Sequence, residues 1–168
     1  MGFNGTPAIL QEHFSGVGID KTVDKMLQFI RKDKESLFVF KLSRAILKGN
    51  ADGRNTDDIA DVLYNWIIKR IQYFWDPRKV EWVMDTENIL RVGAGDCDDF
   101  TVISCALLES MGIKTRVTIA QVGKKSWNHV FCEYYSPASG EWVTFDTCIQ
   151  KYVGWKAKGI LQTKSFNV

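Results

Sequence analysis

Along this chain the spacing of apolar residues changes once, from a period of 3.6 to a period of 2, and the change falls at Gly112. Upstream, Val23, Met26, Leu27 and Ile30, then Phe38, Leu42, Ala45 and Ile46, recur at three and four residues, which predicts two helices broken near Asp33. Gly49-Asn50 and Gly53 end the second. Thr56 then offers an N-cap for a third helix, with Asp57 and Asp58 at its positive end. The seam of that helix, Ile59, Val62, Leu63, Trp66, Ile67 and Ile71, continues to Phe74 and reads as core packing. Asp76-Pro77 stops it, because proline has no N–H to donate and restricts the residue before it. Residues 78–96 carry Trp82, Met84, Ile89 and Leu90 without a clear period and end in Gly93-Ala94-Gly95-Asp96. From Cys97 a further helix is expected, with Phe100, Ile103, Ala106, Leu107 and Met111 on one face and Val102, Cys105 and Leu108 making another side apolar. A helix apolar on more than one side belongs at the centre of a fold.

Downstream of Gly112 three β-rich runs follow, residues 114–122, 128–135 and 141–147, separated by the short turn-like breaks 123–126 and 136–140. Short breaks favour antiparallel neighbours. Helices first and antiparallel strands second define an α+β domain. The expected organisation is an irregular lead-in over residues 1–21, one domain over 22–148 and a basic extension over 149–168 that carries four lysines and no acid.

Composition narrows the function classes. At 168 residues the chain has the length of one domain, and its net charge of +2 gives no basic surface of the kind that coats nucleic acid. No apolar run approaches the roughly 18 residues that cross a bilayer, so neither nucleic acid nor membrane is an expected partner. Four cysteines without CxxC spacing fit a reducing compartment, and the first 20 residues lack the charged and apolar regions of a secretory signal. The expected location is the cytoplasm. Met1–Thr6 satisfies the N-myristoylation pattern, but six residues match by chance often, and no basic cluster follows to reinforce an anchor.

The chemistry-bearing residues are Cys97, His129 and Asp146. Cys97 opens a buried helix behind a glycine-rich turn, where unpaired N–H groups favour a thiolate and can lower a cysteine pKa from about 8.5 into the range of about 3.5–7.5. Asp96, Asp98 and Asp99 oppose this unless they point away or are paired. Of two histidines, His13 lies in the lead-in and His129 in the second strand, so His129 is the better base. If the last hairpin closes with Tyr135 opposite Gly140, the constant index sum of an antiparallel pair places Asp146 directly opposite His129 on the same face. A carboxylate there can fix the imidazole tautomer and stabilise its protonated form.

The runs Gly95-Asp96-Cys97-Asp98-Asp99-Phe100, Trp127-Asn128-His129-Val130-Phe131-Cys132-Glu133 and Glu141-Trp142-Val143-Thr144-Phe145-Asp146 resemble, in order and spacing, the transglutaminase-like superfamily of cysteine enzymes. The likeness extends over residues 22–147 and is strongest to a small bacterial type carried by phages and prophages, to which Asp76-Pro77 also fits. The resemblance implies a papain-like fold with the cysteine helix packed on an antiparallel sheet. It implies Cys97 as nucleophile, His129 as general base and acid, and Asp146 as the orienting carboxylate. It departs at Thr147-Cys148, where relatives often carry proline and threonine. Trp66, Trp75 and Trp82 are the alternatives for a second oxyanion donor beside the Cys97 N–H.

The implied activity is cysteine-dependent cleavage of an amide in a protein or peptide substrate through a thioester, with no metal or organic cofactor. Hydrolysis is favoured over transfer to a lysine amine. The rival from another class is a catalytically silent interaction module that keeps the fold, for example in a phage particle or its assembly. Lesser readings are a zinc site built from Cys97, His129, Asp146 and Cys148, and a calcium role for Asp96, Asp98 and Asp99, for which a helix-start role is more ordinary. Cys105 and Cys132 read as core, and Trp127 and Trp142 as flanking the site or as packing.

Overall fold

The computed structural model describes residues 18–50, 55–76 and 82–168. Met1–Thr6, His13 and Pro77 lie outside them. The expected pair of N-terminal helices is α1 (Gly18–Lys34) and α2 (Leu37–Leu47), so residues 18–21 of the expected lead-in are helical. The third helix, α3, spans Thr56–Arg70 and is capped by Asn55 instead of Thr56: the Asn55 side chain accepts the Asp58 N–H at 3.0 Å. It ends at Arg70, before the Phe74 expected, because the backbone turns extended at Ile71 to form β1 (Gln72–Tyr73). Two short elements that carry no sequence period follow. These are α4 (Thr86–Val92), capped by Asp85 on the Asn88 N–H, and β2 (Ala94–Gly95), which pairs in parallel with β1.

The central helix α5 runs from Cys97 to Ser110, and every residue from Asp98 to Leu108 is buried. Gly112, in the left-handed region at φ 75°, turns the chain out of it. On one side α5 packs against α1, α2, α3 and α4, and on the other against a four-stranded antiparallel sheet. The strands are β3 (Thr115–Val122), β4 (His129–Ser136), β5 (Glu141–Phe145) and β6 (Ile160–Asn167), in the order β5-β4-β3-β6. Period 2 assigns the faces: Val117, Ile119, Val130, Cys132, Tyr134 and Phe145 join the core around α5. Each large apolar side chain so buried contributes about 1.5–3 kcal/mol.

The C-terminal segment read as a solvated extension supplies β6, which pairs with β3 from Arg116↔Asn167 to Val122↔Ile160. Its side chains stay largely exposed, as on an edge, so no apolar alternation marks it. The chain leaves β5 at one edge of the sheet and returns as β6 at the other. Lys156, Ala157 and Gly159 of this crossing line a cavity of ≈ 530 Å³ together with Arg116, Glu133 and Asp146.

Two carboxylates join the layers. Asp57, in the first turn of α3, accepts the hydroxyls of Tyr134 and Ser136, both at 2.9 Å. Asp33, at the end of α1 and 4% exposed, accepts the first N–H of α4, from Thr86, at 2.6 Å. Burial pushes the Asp33 carboxyl upward, so its worth lies in satisfying that N–H. Asp33→Ala is expected to cost about 1–3 kcal/mol by stranding it, read as a lower urea midpoint, with Asp33→Asn close to wild type. An unchanged midpoint in Asp33→Ala rejects this role.

Candidate active site

The turn into α5 is built around one glycine. A Cβ on Gly95 would lie 2.6 Å from both Cβ and Oδ2 of Asp99, so no larger residue fits while Asp99 stays in place. Asp99 is fully buried, and its Oδ1 accepts the Met84 N–H at 2.9 Å. Burial pushes its carboxyl well above the ordinary range, helped by the charges of Asp96 and Asp76, which drives it toward the neutral form. The Asp96 side chain caps α5 on the Asp98 N–H, and Asp98 accepts the Asp99 N–H at 2.8 Å. Asp96 and Asp98 are therefore engaged in starting the helix, while Asp99 holds the Met84 N–H. Thr101 Oγ1 donates to the Cys97 carbonyl at 2.7 Å and secures the first turn.

His129 opens β4, and Asp146 follows β5 directly. His129 Nε2 and Asp146 Oδ2 are 2.7 Å apart, with side chains 12% and 5% exposed. This leaves Nδ1 on the opposite side of the ring, which stacks on Phe131 at 5.7 Å. The expected register is corrected by two residues. The hairpin closes with Ser136 opposite Glu141 around a turn of residues 137–140, where Gly140 N–H bonds back to Ser136 at 2.9 Å with φ 71°. Phe131, not His129, is thus the formal partner of Asp146 by extrapolation of that register. Because the shift is even, both stay on one face and meet diagonally.

Asp146 is fastened from two helices. Tyr64 of α3 donates to its carbonyl at 3.2 Å and meets Phe145 edge to face, and Ser104 of α5 shares a 2.9 Å hydrogen bond with Thr147. Cys148 lies in the turn that follows β5. One donor atom each from His129, Asp146 and Cys148 lies within 4.8 Å of the others. Burial pushes the Cys148 thiol far up, and the nearby Asp146 and Cys97 add to this.

Sequence patterning overlooked Tyr73, which it absorbed into the α3 stripe. Its ring packs against Trp75 and Phe100. Burial first, and then the charge of Cys97, hold its hydroxyl in the protonated state. Of the tryptophans, Trp75 is 74% exposed, Trp82 is 37% exposed, and Trp66 packs against the core. Trp142 sits on the sheet under the Arg116 guanidinium at 4.5 Å, while Trp127 joins the core margin. Two sets of side chains among the described residues have donors close enough to share a cation: Asp96, Asp98 and Asp99, and His129, Asp146 and Cys148.

Asp76, after β1, accepts the Trp82 N–H, and its carboxyl is pushed up to about 6 by burial, with the Asp96 charge adding. A carboxyl raised in the folded state stabilises at low pH, and this contribution is lost as pH rises from about 4 through about 6. Asp76→Asn keeps an acceptor for Trp82 and removes the titration. Its thermal midpoint is expected to fall less than that of wild type across this interval; parallel curves reject the assignment.

A family model of the transglutaminase-like superfamily matches residues 41–147. Peptide-N(4)-(N-acetyl-beta-glucosaminyl)asparagine amidase of Kluyveromyces lactis is 32% identical over 71 residues, 40% of this chain and 18% of the amidase. The match thus spans less than a fifth of that relative's length. Calcium-bound LapG of Legionella pneumophila superposes with a TM-score of 0.60 at 19% identity, over 86% of this chain and 83% of LapG. A candidate cysteine protease of Cytophaga hutchinsonii superposes with a TM-score of 0.56 at 18% identity, over 94% of this chain and 57% of that one. The two structural likenesses are likenesses of fold: helices packed on one face of an antiparallel sheet.

Proposed function

The chain belongs to the transglutaminase-like superfamily, and from that premise we propose that it cleaves an amide bond, with Cys97 as nucleophile, His129 as general base and acid, and Asp146 as the carboxylate that holds the imidazole. The observation that carries this reading is the 2.7 Å contact between His129 Nε2 and Asp146 Oδ2. It orients the ring and leaves Nδ1 to exchange a proton with the thiol.

In the proposed reaction the Cys97 thiolate adds to the amide carbonyl, and the oxyanion rests on N–H groups at the start of α5. Tyr73, whose ring packs against Phe100 of α5, joins Trp66, Trp75 and Trp82 as a candidate second donor. Protonated His129 gives its proton to the departing amine as the C–N bond breaks, leaving a thioester on Cys97. His129 then takes a proton from water, whose oxygen attacks the thioester and frees the acid and the thiolate. A lysine amine in place of water would make the second step a transamidation; hydrolysis is the preferred reading. The amidase relative acts on an amide, which supports a peptide or protein substrate.

Intact-mass labelling with limiting iodoacetamide between about pH 5 and 9 tests the reading. One adduct is expected to form rapidly below neutrality, to vanish in Cys97→Ala and to slow in His129→Ala. Tyr73→Phe is expected to keep that labelling while lowering acylation by an amide substrate by about 10²–10³. A Cys97 that reacts no faster than an ordinary thiol overturns the proposal and favours the silent interaction module.

A further inference from the structure

Cys148 is a nucleophilic side chain next to the candidate catalytic pair, and the proposed chemistry has no use for it. Three donors of different kinds converge there, an imidazole nitrogen, a carboxylate oxygen and a thiol sulfur, each within 4.8 Å of the other two. They come from two ends of one hairpin, His129 at the start of β4 and Asp146 and Cys148 just past β5. Tyr64 and Ser104 hold the second end in place through the Asp146 carbonyl and Thr147. Among the described residues no nitrogen or oxygen donor reaches Asp146 Oδ1, which is buried in a residue only 6% exposed, and the Cys148 thiol is the further side chain bonded to this carboxylate. A buried carboxylate oxygen without such a donor is a position where a cation lowers the energy.

We infer that His129, Asp146 and Cys148 form a Zn²⁺ site that competes with the catalytic use of His129 and Asp146. Mixed nitrogen, sulfur and oxygen donors select zinc over calcium or magnesium, which take oxygen alone. Zinc bonds of about 2.0–2.3 Å hold neighbouring donors roughly 3.3–3.8 Å apart, so the ion takes the place of the 2.7 Å His129–Asp146 hydrogen bond, and the three donors, now within 4.8 Å of one another, close around it. The ion displaces the thiol proton of Cys148, and the fourth position stays open to water. The acidic set Asp96, Asp98 and Asp99 offers no sulfur and is distinguished on that basis.

Binding itself does not depend on the proposed activity; only its inhibitory consequence does. The test therefore reads the metal first. Reduced, chelator-treated protein is titrated with Zn²⁺ by calorimetry and with Co²⁺ by absorption. Wild type is expected to bind one ion and to show a thiolate-to-cobalt charge-transfer band. Cys148→Ser is expected to lose the band and to bind Zn²⁺ at least tenfold more weakly, while Cys97→Ser keeps both. Zn²⁺ should then slow alkylation of Cys97 in wild type and not in Cys148→Ser. Binding without a thiolate band, or a band lost in Cys97→Ser and kept in Cys148→Ser, overturns the site. A band with the expected variant pattern, together with an unreactive Cys97, keeps the site and refutes the proposed catalysis instead.

Discussion

His129→Ala is expected to lower turnover of an amide substrate by about 10²–10⁴-fold, the range that general acid–base catalysis supplies. The same ring removes the thiol proton and delivers a proton to the leaving amine, so both halves of the proposed reaction lose their proton carrier. Asp146→Asn is expected to act in the same direction and less severely. The amide keeps a side chain near Nε2 but can no longer stabilise an imidazolium formed during the reaction. Single-turnover acylation followed by intact mass separates these effects from substrate binding. Circular dichroism checks that the variants are folded, which is expected because His129 lies at a strand end. His129→Ala within threefold of wild type would remove the imidazole from the mechanism.

Gly95→Ala is expected to have the largest effect on the fold for the smallest change in volume. The new methyl would meet Asp99 at 2.6 Å, and Asp99 is held by the Met84 N–H inside a closely packed helix start, so neither side can move freely. Overpacking of this kind costs about 1–3 kcal/mol, and here the displaced element carries Cys97. A lower urea midpoint together with slower Cys97 alkylation is the expected result. Gly93→Ala is the internal contrast. Gly93 sits in the left-handed region at φ 74° with nothing within 4 Å of an added Cβ, so its cost is about 1–2 kcal/mol of backbone strain and its alkylation rate should hold. If Gly95→Ala matches wild type in both measurements, the packing of this turn does not set the nucleophile.

Much of the architecture was legible because long amphipathic elements repeat their signal. Val23, Met26 and Ile30 face the core of α1 as their spacing predicts, and so do Leu63 and Ile67 in α3. The apolar surround of α5 announced its central place. Elements of two to seven residues escaped because a period needs several turns or alternations to emerge: β1, β2 and α4 are held by pairing and capping, not by a stripe. β6 escaped for a different reason. It is an edge strand with exposed side chains, so its place rests on backbone hydrogen bonds to β3, which any sequence can make. The candidate site shows the same division. Parity put His129 and Asp146 on one face, but Tyr73 carried no signal while it looked like one more position of a helix.

What the sequence determined by itself is the order of elements, the faces of the long ones and the side on which His129 and Asp146 meet, since period and parity are local properties that survive an even shift of register. The tertiary structure alone decided the hairpin register, the diagonal contact between those two residues and the approach of Cys148 to both. It also decided the burial that drives Asp99 toward its neutral form beside Cys97. These depend on distances between segments far apart in the chain. Turn closure, packing around α5 and desolvation set those distances, and none of the three is written in the spacing of residues along one strand or helix.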